Sequence, residues 1–111
     1  MARLVVVTVL LALGFSTPPS SAAGGWYLLL PRVDKESSGR TVPLTQLPLK
    51  DWSHQQAFDN APMCEREKAG QAEAWRREFQ TADSSFREMA LVHMVQFTAS
   101  RCIASDDPRL K

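Results

Sequence analysis

The stretch Ala57-Phe58-Asp59-Asn60-Ala61-Pro62-Met63-Cys64-Glu65 decides the fold, because one kind of structure ends in it, another begins, and it carries one of only two cysteines. Asp59 or Asn60 can accept from the free backbone N–H groups of a first helical turn. Pro62 is tolerated in that turn, where the N–H it lacks would have no intrahelical acceptor. Glu65 and Glu67 lie near the positive end of the helix dipole. From this start the pattern predicts a helix from about Asn60 to Gln80. At about 100° per residue, Ala61, Cys64, Ala72, Trp75 and Phe79 fall on one stripe. Lys68 falls among them and must bend its ammonium outward, while Gly70 faces the opposite way. Glu73 and Arg77 make a favourable i,i+4 pair.

Toward the C-terminus, residues 81–85 read as a break. Ser85, with Glu88 three residues on, fits a capping box. Phe86, Met89, Ala90, His93, Met94 and Phe97 then share one helical face. Leu91, Val92 and Val95 cover much of the other, and a helix apolar nearly all round is a buried one. A strand over Leu91 to Phe97 competes with this reading, so residues 86–100 are helix or strand, with helix favoured. Arg101-Cys102-Ile103-Ala104 reads as a last short strand. Asp106-Asp107-Pro108 ends regular structure, leaving Arg109-Leu110-Lys111 as a loose tail.

Toward the N-terminus, Trp52, His54, Gln56 and Phe58 alternate with Ser53, Gln55 and Ala57. That predicts an extended arm with Trp52 and Phe58 on one face. Residues 31–50 carry Pro31, Pro43 and Pro48 around Ser37-Ser38-Gly39. They read as a Pro-rich exposed loop, extended near Val42 to Leu49, from which Leu44, Leu47 and Leu49 pack down onto the domain. Trp26-Tyr27-Leu28-Leu29-Leu30, between Gly25 and Pro31, reads as a strand. Its lack of alternation suits a strand covered on both faces.

Residues 1–23 have the layout of a secretory signal peptide: a basic Arg3, an apolar run from Leu4 to Phe15, and Ser21-Ala22-Ala23 as a small-x-small cleavage site before Gly24. The 12-residue apolar run is well short of the roughly 20 needed to span a bilayer, so no stable membrane span is expected after cleavage. Residues 24–111 form a single small exported domain. Loss of Arg3 from 13 basic residues leaves 12 against 12 acidic ones. A nucleic-acid binder ordinarily carries a basic excess, and nucleic acid is not an expected partner. Two cysteines in an exported chain predict one disulfide, Cys64 to Cys102.

No catalytic, metal or cofactor site is expected. The only histidines, His54 and His93, are not spaced as metal ligands. There is no G-x-S-x-G, no phosphate loop and no C-x-x-C pair. Asp106 and Asp107 read as turn residues. Trp26, Tyr27, Trp52 and Trp75 read mainly as core. The expected contact surface is Trp52, His54 and Phe58 with the 31–50 loop, facing an unknown protein or small ligand. The leading function is non-enzymatic binding or a structural role, in the bacterial envelope or outside the cell. The alternative is a small-ligand or metal-binding module using Trp52, His54, His93 and the terminal acids, and a hydrolase-type enzyme stands last.

Three islands carry a resemblance: the Trp-Tyr-Leu-Leu start; Trp52 followed by Phe58-Asp59-x-Ala61-x-x-Cys64-Glu65; and Arg101-Cys102-Ile103-Ala104-Ser105-Asp106-Asp107-Pro108-Arg109-Leu110. Together they resemble uncharacterised small secreted or periplasmic bacterial proteins. The resemblance implies an envelope location and a paired Cys64–Cys102, and brings no activity or functional residue with it. The expected fold class is α+β, two helices packed on a few short strands with one disulfide. A mostly α hairpin with irregular ends is the alternative.

Overall fold

The computed structural model describes residues 25–111. The expected signal peptide, residues 1–23, and its expected cleavage site before Gly24 lie outside the described residues. The chain runs β1 (Trp26–Leu30), β2 (Val33–Lys35), β3 (Thr41–Pro43), β4 (Ser53–Phe58), α1 (Ala61–Thr81), α2 (Ser84–Thr98) and β5 (Arg101–Ala104), with short 3-10 turns at Leu49–Asp51 and Pro108–Leu110. The fold is α+β, with both helices packed against short antiparallel strands.

β1 is the middle of a three-stranded antiparallel sheet, ordered β4-β1-β5. Successive side chains of a strand point to opposite faces, so Trp26, Leu28 and Leu30 share one face and Tyr27 and Leu29 the other. On the first face Leu28 and Leu30 pack with Cys64 of α1 and Phe97 of α2, rimmed by Trp26, Phe58, Ala72, Trp75 and Cys102. On the second, Leu29 packs with Leu49, Trp52 and Ile103, rimmed by Tyr27, Leu47 and Leu110. Helices cover one face; the segment before β4 and the C-terminal turn cover the other. Leu28 and Leu29 are neighbours in sequence, and both are fully buried. That is why β1 shows no alternation.

The sequence pattern put Trp52 and Phe58 on one face, and the structure separates them. Leu28 pairs with Gln56 but Leu29 pairs with His54, so Gln55 is an extra residue in β4 without a partner on β1. Such a bulge shifts the parity of every side chain beyond it. His54 therefore sides with Tyr27 and Leu29, and Phe58 with Leu28.

Asn60 caps α1, its side-chain oxygen accepting from the Met63 N–H at 2.9 Å. Cys64 leaves the helix from its buried side and bonds to Cys102 of β5, with the two Cα atoms 6.0 Å apart. At the far end Arg87 of α2 donates to the Phe79 carbonyl at 2.8 Å, and its guanidinium lies over the Phe79 ring. A cation on the last carbonyls suits a helix C-terminus, and here it also closes the turn between the helices.

Residues 84–98 are helical. Their cap is Asp83 and not Ser85: Asp83 Oδ1 accepts from the backbone N–H groups of Ser85 and Phe86. Glu88 does not reach back to complete a capping box; it pairs with Lys35 of β2 at 2.8 Å. The helix is also less buried than its composition predicted. Only Ala90 and Phe97 are fully covered, while Phe86 and Met89 remain 36% and 41% exposed. α1 and the sheet take one side, and the small β2–β3 hairpin takes only part of the rest.

That hairpin lies in the stretch read as irregular loop. Val33, Asp34 and Lys35 pair with Pro43, Val42 and Thr41. The turn between them closes with Glu36 N–H donating to the Arg40 carbonyl at 2.9 Å and Gly39 N–H donating to the Glu36 carbonyl at 2.7 Å. Gly39 has φ +91°, the left-handed region that a residue without a Cβ enters freely. The Gln96 amide of α2 donates to the Pro31 carbonyl at 2.9 Å and ties the hairpin's base to the helix. Beyond the hairpin, Leu47 and Leu49 do pack down, and the Trp52 indole donates to the Leu47 carbonyl at 2.9 Å. The tail is ordered too: Asp107 caps the turn Pro108–Leu110, and Leu110 lies on the Leu29 face.

Candidate functional site

β1, β4 and the end of β5 meet at one edge of the molecule. There the register sets Trp26 opposite both Phe58 and Ala104, and the Ser105 N–H donates to the Gly25 carbonyl at 2.9 Å. An open cleft of about 260 Å³ lies at this end, lined by Gly25, Trp26, Tyr27, Ala57, Phe58, Asp59 and Ser105. Asp59 is the one acidic side chain among them, and it is exposed. Trp26 and Phe58 are an aromatic cross-strand pair on the helix-facing side. The cleft offers apolar wall, backbone polar groups and one carboxylate, a set suited to holding a small ligand with a donor or a positive charge. It offers no imidazole to activate a nucleophile.

Trp52, His54 and Phe58 do not form one patch. Trp52 is 4% exposed and belongs to the Leu29 cluster. Phe58 is half-buried on the opposite face. His54 is exposed on edge strand β4, its ring 4.9 Å from that of Tyr27. His93 stacks on Trp75 of α1 at 4.3 Å between ring centroids. Its Nδ1 lies 2.9 Å from the Met89 carbonyl oxygen. A carbonyl can only accept, so Nδ1 carries the proton in that contact. His93 is thus a partnered residue of the helix–helix interface.

The two histidines occupy different faces, and neither approaches the terminal acids as part of a ligand set. Among the described residues no group of three or more His, Cys, Asp or Glu side chains could hold a metal ion. Asp107 is committed to Arg109, whose Nε and Nη2 reach its two oxygens at 3.1 and 2.8 Å. That guanidinium first, and then the Arg109 backbone N–H, hold the Asp107 carboxyl at about 2, below its ordinary 3.8. Among the described residues no helix is long and apolar enough to cross a membrane.

The cleft was not legible in the sequence. Trp26, Phe58, Asp59 and Ser105 are distant along the chain and are brought together only by the pairing of β4 and β5 on either side of β1. The single signal for it was the Phe58-Asp59 pair at the end of the predicted arm.

No protein-family model, curated protein or solved structure matches this chain.

Proposed function

We propose that this is an exported, non-enzymatic protein that works by binding or by a structural role in the bacterial envelope or outside the cell. The observation that carries the reading is the Cys64–Cys102 bond. It closes a long loop in a domain too small to bury a generous core, the arrangement of proteins that live in oxidising compartments. The signal-like residues 1–23 and the resemblance of the three islands to envelope proteins support it. The surface we assign to contact is the exposed edge strand β4 around His54, together with the exposed turn of the β2–β3 hairpin. A photo-crosslinker at His54 is expected to yield a discrete adduct in envelope extract, while the same group at Gly70, on the solvent side of α1, yields none. Equal labelling from the two positions contradicts the assignment of the surface.

The small-ligand alternative rests on the cleft beside Trp26, Phe58 and Asp59. A thermal shift with small amines that is lost in Asp59→Asn is its signature, and no shift with any amine removes it.

A further inference from the structure

Among the described residues the three-stranded sheet has two edges, β4 and β5, and they are not alike. An edge strand presents a row of unpaired backbone N–H and C=O groups. Folded proteins blunt such rows with charged side chains, proline, short length, bulges or a covering element. β5 is blunted in several of these ways: it is four residues long, it carries exposed Arg101, and Cys102 ties it to α1. β4 is six residues long, the longest strand among the described residues. Its sequence, Ser53-His54-Gln55-Gln56-Ala57-Phe58, holds no charged residue and no proline. Ser53 to Ala57 are all exposed, so both faces of that run are open to solvent. The one blunting feature is the bulge at Gln55, which has no partner on β1. A bulge sharpens the twist and keeps any regular pairing short, and it also leaves the Gln55 backbone outside the inner ladder.

An open edge accepts one kind of occupant, another extended strand joined through backbone groups. Its source is either a segment of a different protein or β4 of a second copy. A foreign strand is selected by pockets for its alternate side chains, and the open faces of β4 supply none. A second copy needs no pocket. In an antiparallel pair about a two-fold axis the same strand stands on both sides, so a charged residue near the axis would meet its own like, which is destabilising. Ser53 to Phe58 carry no charge, so no like charges meet within the paired run.

We infer that this chain associates with a second copy of itself through β4, antiparallel across a two-fold axis, into one sheet with three strands from each copy, ordered β5-β1-β4-β4-β1-β5. This rests on the reading of β4 as the contact surface and gives that surface its partner. The outer edges of the joined sheet are both β5, the blunted strand, so assembly closes at two copies and does not run on into a fibre. A single short strand pair lies at the small, weak end of protein interfaces.

The test is analytical ultracentrifugation of the purified, oxidised protein from about 10 μM to about 1 mM, the range in which weak association shows. The expected result is a monomer–dimer equilibrium, with the backbone amide NMR signals of residues 53–58 moving as concentration rises. Gln56→Lys and Gln56→Glu, each alone, set like charges near the axis and are expected to weaken dimerisation about fivefold. An equimolar mixture of the two variants is expected to restore it, which misfolded variants cannot do. A chain that stays monomeric to about 1 mM overturns the inference, as does a dimer that neither variant weakens. Where the purified chain stays monomeric but a photo-crosslinker at His54 captures a different envelope protein, the inference falls and β4 remains the contact surface. No adduct of either kind removes both.

Discussion

Cys102 stands directly opposite Leu28 in the register of β5 on β1, so the bond from Cys64 fastens α1 to edge strand β5 beside the middle of β1. Cys64 is fully buried. The bridge joins residues 38 apart, and in the chain-entropy picture closing a loop of that size contributes about 4 kcal/mol. For a domain with a net stability of roughly 5–15 kcal/mol that is a large share.

The paired replacement Cys64→Ala with Cys102→Ala is accordingly expected to cost about 4 kcal/mol, read as a fall in the urea midpoint or as loss of the cooperative transition. An unchanged midpoint would show that the two cores hold without the bridge.

Leu28 and Leu29 make the case for a sheet covered on both faces. Each replaced singly by Ala should cost about 2–5 kcal/mol, the usual range for emptying a buried leucine site. In a sheet with one wet face, one of two adjacent residues is cheap to truncate. Urea denaturation showing Leu29→Ala to be near neutral would mean that Leu49, Trp52 and Leu110 do not form a true second layer.

That second layer marks the boundary of what the sequence reveals. The helix start at Asn60, the disulfide pair and the doubly buried β1 were all legible, because a cap, two cysteines and an unbroken apolar run are local signals. The helical state of residues 84–98 was favoured but open, since Val92, Val95 and Phe97 suit a strand equally well. The bulge at Gln55 is invisible in the sequence: a period of two does not say where an extra residue enters, so the alternation places Trp52 and Phe58 on one face where the structure has them on opposite faces. The hairpin was hidden by strands of three residues carrying Asp34 and Lys35, with Gly39 as its one clear mark. Asp83 and Ser85 are both good caps, and only the hydrogen bonds decide between them. The candidate cleft depends on pairing between distant strands, which no local pattern encodes.

The C-terminal turn gives a direct test of the layer it completes. Deleting residues 109–111 removes Leu110 from Leu29, Trp52 and Ile103. The expected cost is about 1–2 kcal/mol, a partly buried leucine's share of apolar burial, accompanied by a red shift in tryptophan emission. A variant with unchanged stability and emission would return this segment to the status of a loose tail.

The same turn confers an acid sensitivity whose sign is fixed. Arg109 holds the Asp107 carboxyl at about 2 in the folded protein against an ordinary 3.8. A depressed folded value means the stabilisation is fully present above the ordinary value and is lost as pH falls from about 4 to about 2. Asp107→Asn should flatten the stability profile across that window and leave the neutral-pH slope alone. The pair is at the surface, so added salt should weaken the effect. An NMR titration of the Asp107 carboxyl with an unshifted midpoint would contradict the pairing.

The most direct measurement is the intact mass, under non-reducing conditions, of the protein recovered from cells that produce it, followed by reduction. A chain that begins at Gly24 and gains one hydrogen on each sulfur when reduced is the predicted result, since it reports export, cleavage and the Cys64–Cys102 bond together. A chain that begins at Met1 and carries two free thiols contradicts an exported domain held by its disulfide.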